Sequence, residues 1–185
     1  MALEKPKYKL LKKEGRFELR EYEPYLASRI TVRACDYNEA ANRGFRPLAN
    51  YIFGGNISED KIAMTAPVTA QSKSEKIAMT SPVTVSGDGE YTVEFLIPSK
   101  YTLDTLPKPL DDKVCFYQHS SRSMAVVRFS GRFNQSNFEK YIRLLRKWIR
   151  EEGLKEKGEP TIAGYDPPFT PWFLKHNEVM MEIDK

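Results

Sequence analysis

Two histidines and two cysteines are all that 185 residues supply of the side chains that most readily hold metals or attack carbonyls. His119 and His176 lie 57 residues apart, so neither an HExxH zinc helix nor a histidine-rich cage can be built, and no metal ion is expected. Cys35 and Cys115 stand alone, outside any CxxC or CxxCH context. They read as reduced, partly buried thiols that pack, not as a disulfide framework. The GxSxG elbow, the GxxxxGK[ST] phosphate loop and GxGxxG after a strand are missing too, and nothing flanking a cysteine supports a Cys-His dyad. Apolar runs are only a few residues long, which excludes a helical membrane span. Charges also occupy the opening MALEKPKYKL, where a secretory signal would be apolar, so the expected location is the cytoplasm.

What is there describes one soluble domain with 41% hydrophobic, 29% charged and 12% aromatic residues. A chain of this length buries about 70% of its unfolded surface and needs no staple. The 29 basic and 25 acidic residues are mixed, and the net charge of +4 is too small and too dispersed for a nucleic-acid footprint. Arg143, Arg146, Lys147 and Arg150 are diluted by Glu139, Glu151 and Glu152 and read as a solvated helix face. A mild positive bias still favours the approach of an anionic small molecule.

Residues 17–34 alternate in their second part, with Ile30 and Val32 set against Arg29, Thr31 and Arg33, and Pro24 divides them into two strands. Asp36 with Glu39 three residues on forms a capping box. It predicts a helix to about Phe53, disturbed by Pro47 and stopped by Gly54-Gly55. KIAMTAPV (61–68) and KIAMTSPV (76–83) read as short strands, with a third over 91–97 beyond the Gly87-Asp88-Gly89 turn. Residues 98–113 read as a surface connection, and 114–118 and 124–129 resume the strand pattern. Residues 134–153 predict a helix whose apolar stripe is Phe138, Tyr141, Ile142, Leu145, Trp148 and Ile149. A last strand pair, about 161–165 and 178–183, encloses a loop.

Two repeats work at different scales. The octapeptides recur 15 residues apart and differ only at Ala66 and Ser81. They pack one core as equivalent strands, or they offer Met64 and Met79 as soft lining for a ligand pocket. The longer repeat maps Ala41, Gly44, Phe45, Leu48, Tyr51 and Ile52 onto the second helix stripe at a constant offset of 97. Each helix follows a strand and precedes others, so the chain reads as a pseudo-twofold duplication of a β-α-β-β unit in a single barrel-like α+β domain. The half-repeats span about 8–97 and 114–185, with 98–113 joining them. A cleft at such a joint is the usual place for a small ligand.

Residues 163–179, AGYDPPFTPWFLKHNEV, set Tyr165, Phe169, Trp172 and Phe173 among three prolines, with Lys175 and His176 near the end. Prolines pre-order such a loop and lower the entropic cost of presenting flat apolar faces. It either binds a ligand or covers one end of the barrel. Glu18, Glu94 and Glu178 fall in predicted strands, where the solvent face explains them more simply than a pocket does.

NYIFGGN (50–56), KIAMTAPV (61–68), VEFLIPS (93–99) and AGYDPP with NEV (163–179), in this order and spacing, make the chain similar to the SOUL, or heme-binding protein, family. The resemblance runs from about Tyr8 to the C-terminus. It implies a twisted antiparallel β-barrel flanked by two helices, and binding of heme or another tetrapyrrole without catalysis. Family members are thought to seat the tetrapyrrole in an open cleft between the first helix and the loop before the last strand. Carried over, the helix positions are Asn42, Phe45, Ala49 and Asn50, and the loop positions are Phe169, Thr170, Pro171 and Trp172. Asn42, Asn50 and Thr170 stand where some members carry basic groups for the propionates, and Arg43, Arg46 and Lys175 are the nearby substitutes. Some members are proposed to use a histidine just after the first strand. This chain has Glu21 and Tyr22 there, leaving Met64, Tyr165 and His176 as candidate axial ligands, or apolar contact alone.

The first expectation is therefore a monomeric binder of a flat, amphipathic, anionic tetrapyrrole, with no nucleic-acid or membrane partner. The doubled architecture also resembles effector-binding domains and related hydrolases, which would make Glu178 a base of raised pKa. A third reading is a protein-interaction module that uses the aromatic loop.

Overall fold

Strand formation begins earlier than the patterning predicts. In the computed structural model, which describes residues 3–58, 74–167 and 169–184, β1 (Tyr8–Glu14) precedes everything else. All seven of its side chains are exposed, so no apolar alternation marks it in the sequence. Pro24 separates β2 (Phe17–Tyr22) from β3 (Tyr25–Arg33), as expected. Helix α1 (Tyr37–Ile52) is capped at Asp36, whose Oδ1 accepts from the Glu39 N–H at 2.8 Å. Glu39 reaches back to accept from the Cys35 N–H at 2.7 Å, one residue outside the usual reciprocal position. Pro47 is accommodated inside the helix, and Gly54, at φ +116°, turns the chain out of it.

A short β4 (Asn56–Ile57) pairs with β7 (Lys108–Pro109) in a separate two-stranded sheet. Strands β5 (Val83–Asp88) and β6 (Glu90–Leu96) form the predicted hairpin around Gly89. They are followed by β8 (Cys115–His119), β9 (Arg122–Phe129), α2 (Gln135–Glu151), β10 (Lys155–Gly164) and β11 (Asn177–Asp184).

Nine strands form one antiparallel sheet in the order β1-β2-β9-β11-β10-β5-β6-β3-β8. With β1 set aside, β2-β9-β11-β10 matches β8-β3-β6-β5 read from the other end, and the two runs join where β5 pairs with β10. The outer strands are exchanged: β2 pairs with β9 of the C-terminal run and β8 with β3 of the N-terminal one. The fold is α+β, with a large antiparallel sheet and two helices, but the expected barrel does not close. Edge strand β1 shifts register between Leu10 and Lys12, and β8 has five residues, so neither edge offers a long regular ladder for closure.

Both helices cover one face of this sheet, α1 on β3, β5 and β6, and α2 on β9, β10 and β11. The predicted stripe of α2 is buried at every position, each such side chain contributing about 1.5–3 kcal/mol. On α1 the buried face is Tyr37, Ala40, Gly44, Leu48, Tyr51 and Ile52, so Ala41 and Phe45 of the expected stripe lie outside it. Gly44 lets the helix approach closely, because a Cβ there would overlap the Val93 side chain.

Other expectations change as well. The second octapeptide is irregular over 76–82 and becomes a strand only at Val83. Pro82 has no N–H for a ladder, and the Thr80 hydroxyl instead donates to the Leu96 carbonyl at 2.6 Å. The first octapeptide, with Met64, lies outside the described residues. The 98–113 connection is more than a surface link, since it buries Tyr101 and Leu106, and its Pro107 carbonyl accepts from the Tyr51 hydroxyl. Cys35 and Cys115 are exposed, one at the corner before α1 and the other on an edge strand.

Candidate functional site

The loop before β11 is built to present aromatic rings. Its neck is closed by the Tyr165 N–H donating to the His176 carbonyl at 3.2 Å and the His176 N–H donating to the Asp166 carboxylate. A single 3-10 turn, Trp172–Leu174, shapes the tip. Phe169 is 86% exposed, and Trp172, Phe173 and Leu174 are each more than half exposed. Four large apolar groups held in water by a closed neck represent a surface prepared for contact.

The loop leaves the sheet at the end where α1 presents Phe45. Gly164 pairs with Val83, Val83 pairs with Phe95, and the Phe95 ring meets the Phe45 ring edge-on at 5.3 Å between centroids. Asn42, Phe45, Arg46, Ala49 and Asn50 share one side of the helix, with Ala49 half-buried and the others exposed. Phe169, Thr170, Pro171, Trp172 and Lys175 share the loop, with Thr170 and Lys175 half-buried. No hydrogen bond or ring contact joins the helix group to the loop group among the described residues. Arg43 is committed elsewhere, to Glu39 and the Arg33 carbonyl. Arg46 and Lys175 have no ion-pair partner among the described residues.

Among the described residues the other face of the sheet carries no helix, and it holds the buried carboxylates Glu94 and Glu178. Side chains alternate, so Glu94 points away from α1 while its neighbours Val93 and Phe95 pack beneath it. Glu94 pairs with Arg29 at 2.8 Å and lies 3.0 Å from His119 Nε2. Burial pushes its pKa up, but the His119 bond and the Arg29 charge outweigh that and hold it below the ordinary value. Glu178 accepts from Arg20 at 2.8 and 2.9 Å and from the Tyr165 hydroxyl at 2.7 Å, and lies 2.8 Å from His176 Nε2. Burial opposes ionisation here too, yet bonds from His176, Arg20 and Tyr165 hold the carboxyl at about 2. Burial and the Glu178 charge push the Tyr165 phenol far up.

Glu94 and Glu178 are thus buried, not on a solvent face. A carboxylate at about 2 is a poor general base, so the geometry opposes the hydrolytic role considered for Glu178. Both histidines spend Nε2 on a carboxylate, and Tyr165 spends its hydroxyl likewise. Among the described residues no group of three or more His, Cys, Asp or Glu is placed to hold a metal ion, and no helix is long and apolar enough to cross a membrane.

The profile of the SOUL heme-binding protein family matches residues 3–182. The chain belongs to this family. It is 30% identical to Heme-binding protein 2 of Mus musculus, over 98% of this chain and 90% of that protein. Among solved structures it is similar to the EcmrR C-terminal domain, with a TM-score of 0.63 at 12% identity, covering 96% of this chain and 98% of the other. A hydrolase from Listeria innocua matches with a TM-score of 0.59 at 12% identity, covering 94% of each chain. These last two likenesses are of fold alone.

The sequence pointed to the aromatic loop and the helix positions of this SOUL protein but missed Arg20, Arg29 and the pairing of each histidine with a strand carboxylate. A signal was present: Glu178 adjoins the apolar run Val179-Met180-Met181 in β11, where a buried carboxylate calls for a cation to meet it.

Proposed function

We propose that this SOUL protein binds heme or a related tetrapyrrole, without catalysing a reaction on it, in an open cleft between α1 and the 164–176 loop. The observation that carries the reading is the closed-neck loop holding Phe169, Trp172 and Phe173 in water, beside the end of the sheet where Phe45 is 40% exposed. Flat apolar faces suit a macrocycle, and Arg46 and Lys175, without an ion-pair partner among the described residues, are the cations proposed to meet its propionates. Asn42, Ala49, Asn50, Thr170 and Pro171 line the rest. The binding unit is one monomeric domain of two half-repeats, about 8–97 and 114–185, and it works in the cytoplasm.

No imidazole is assigned to the iron. Freeing His176 Nε2 would strip a hydrogen bond from buried Glu178, so the macrocycle is held by apolar contact and propionate pairing. Titration with hemin, followed by the Soret band and tryptophan fluorescence, tests this. Trp172 is exposed while Trp148 is buried and donates to Glu14, so quenching reports mainly on the loop. Saturable one-to-one quenching is expected; linear, non-saturating quenching would count against the site.

A further inference from the structure

On the face opposite α1 and α2, residues 3–7 cross the sheet as a strap. Glu4 bridges Thr80, and its carbonyl accepts from the Ser81 N–H at 3.0 Å. The Glu4 carboxylate accepts from the Ser99 N–H at 2.9 Å, and the Lys7 carbonyl accepts from the Glu23 N–H at 3.0 Å. Beneath the strap a pocket walled by Tyr22, Tyr25, Tyr165, Leu96, Met124 and Met180, with Pro6 also lining it, keeps only about 20 Å³. That is room for about one water. Cavities of about 230 and 250 Å³ flank this point, and Lys5 and Pro6 line both. Without the strap the three would merge into a groove within the ~300–1,000 Å³ range of small-ligand sites.

The strap is lightly held. Leu3, Glu4, Lys5 and Lys7 are exposed and only Pro6 is half-buried, so opening loses a few hydrogen bonds and little apolar burial. Its own chemistry indicates what the groove accepts. The Lys5 ammonium lies 5.3 Å from the centre of the Tyr165 ring and has no ion-pair partner among the described residues. Ionised Glu178 accepts from the Tyr165 hydroxyl, which enriches that ring toward a cation, and Tyr8 and Tyr22 line the same cavity. Of the other cations lining the three cavities, Arg20 is neutralised by Glu178 and Glu18, Lys13 by Glu18, and Arg122 faces Glu182 at 3.9 Å; Lys7 leaves with the strap, so Arg128 remains.

We propose that residues 3–7 are a displaceable occupant of a second binding site, on the face opposite the tetrapyrrole cleft, and that the site takes small amphipathic organic cations. The ligand's charged group replaces the Lys5 ammonium over Tyr165, and its apolar part replaces the Pro6 ring. The inference does not depend on tetrapyrrole binding.

The test is amide hydrogen exchange by NMR on the full chain, with benzyltrimethylammonium as probe and phenylacetate as its anionic counterpart. Saturating cation is expected to speed exchange at Ser81 and Glu23, which donate to strap carbonyls, while Val127 in the core is unchanged. Lys5→Gly with Pro6→Gly, which weakens the competing strap, should tighten cation binding about tenfold. Tyr165→Leu should weaken it. The proposal is overturned by unchanged exchange at Ser81 and Glu23 under saturating cation, by equal cation affinity in Tyr165→Leu, or by tighter binding of phenylacetate.

Discussion

Arg20 in β2 and Glu178 in β11, 158 residues apart in the chain, form a bidentate pair at 2.8 and 2.9 Å, and both side chains are almost wholly buried. Removing one partner leaves the other charged and uncompensated, at a cost of about 3–5 kcal/mol. Arg20→Met alone should lose stability of that order in urea denaturation. Arg20→Met combined with Glu178→Leu should recover much of it. Losses that simply add in the double variant would contradict a coupled pair.

The same carboxylate makes stability fall in acid. Glu178 has a folded-state pKa of about 2 against an ordinary 4.5, so its contribution is complete above the ordinary value and is lost as pH falls toward the folded one. The interval corresponds to about 3 kcal/mol. Glu94, also lowered, acts in the same direction. Denaturation midpoints measured between pH 5 and pH 2, about the range of the two pKa values, should drop more steeply in the parent than in Glu178→Gln. Parallel slopes would show that Glu178 titrates like a free carboxylate.

Gly44 should resist even the smallest substitution. Alanine improves helix propensity by about 1 kcal/mol, but its methyl would overlap Val93 on β6. Overpacking of this kind costs about 1–3 kcal/mol. Gly44→Ala is therefore expected to lower the thermal midpoint, and a raised midpoint would mean that α1 shifts freely on the sheet.

The loop aromatics should separate binding from stability. Phe169 and Trp172 are 86% and 56% exposed, so replacing either with Ala should change stability by no more than about 0.5 kcal/mol. Porphyrin affinity should fall about tenfold for each. A large stability loss without an affinity change would make the loop a structural cover.

How much of this could be read from the sequence depended on whether local chemistry or distant pairing decides. Asp36 and Asn134 cap their helices through their own side chains, and the α2 stripe is buried as its spacing predicts. Phe45 shows the limit. An offset of 97 pairs it with buried Ile142, but it lies on the rim of the α1 contact, where Tyr37 and Ala40 take the buried places. Strand β1 is held by pairing with β2 and has no apolar pattern of its own. Barrel closure failed for a similar reason, since it depends on whether β1 and β8 meet. At the candidate site the loop's prolines and rings were local and visible. The partners of Glu94 and Glu178 come from β2, β3, β8 and the loop, and only the assembled sheet brings them together.

The most direct test of a tetrapyrrole cleft that needs no histidine ligand is a parallel titration with hemin and metal-free protoporphyrin, with Phe169→Ala/Trp172→Ala protein alongside. Because His119 and His176 both spend Nε2 on buried carboxylates, the two porphyrins should bind one-to-one with affinities within about tenfold of each other. The double variant should lose both. Binding that requires iron and disappears in His176→Ala, or saturable binding that the loop variant leaves intact, would contradict the account.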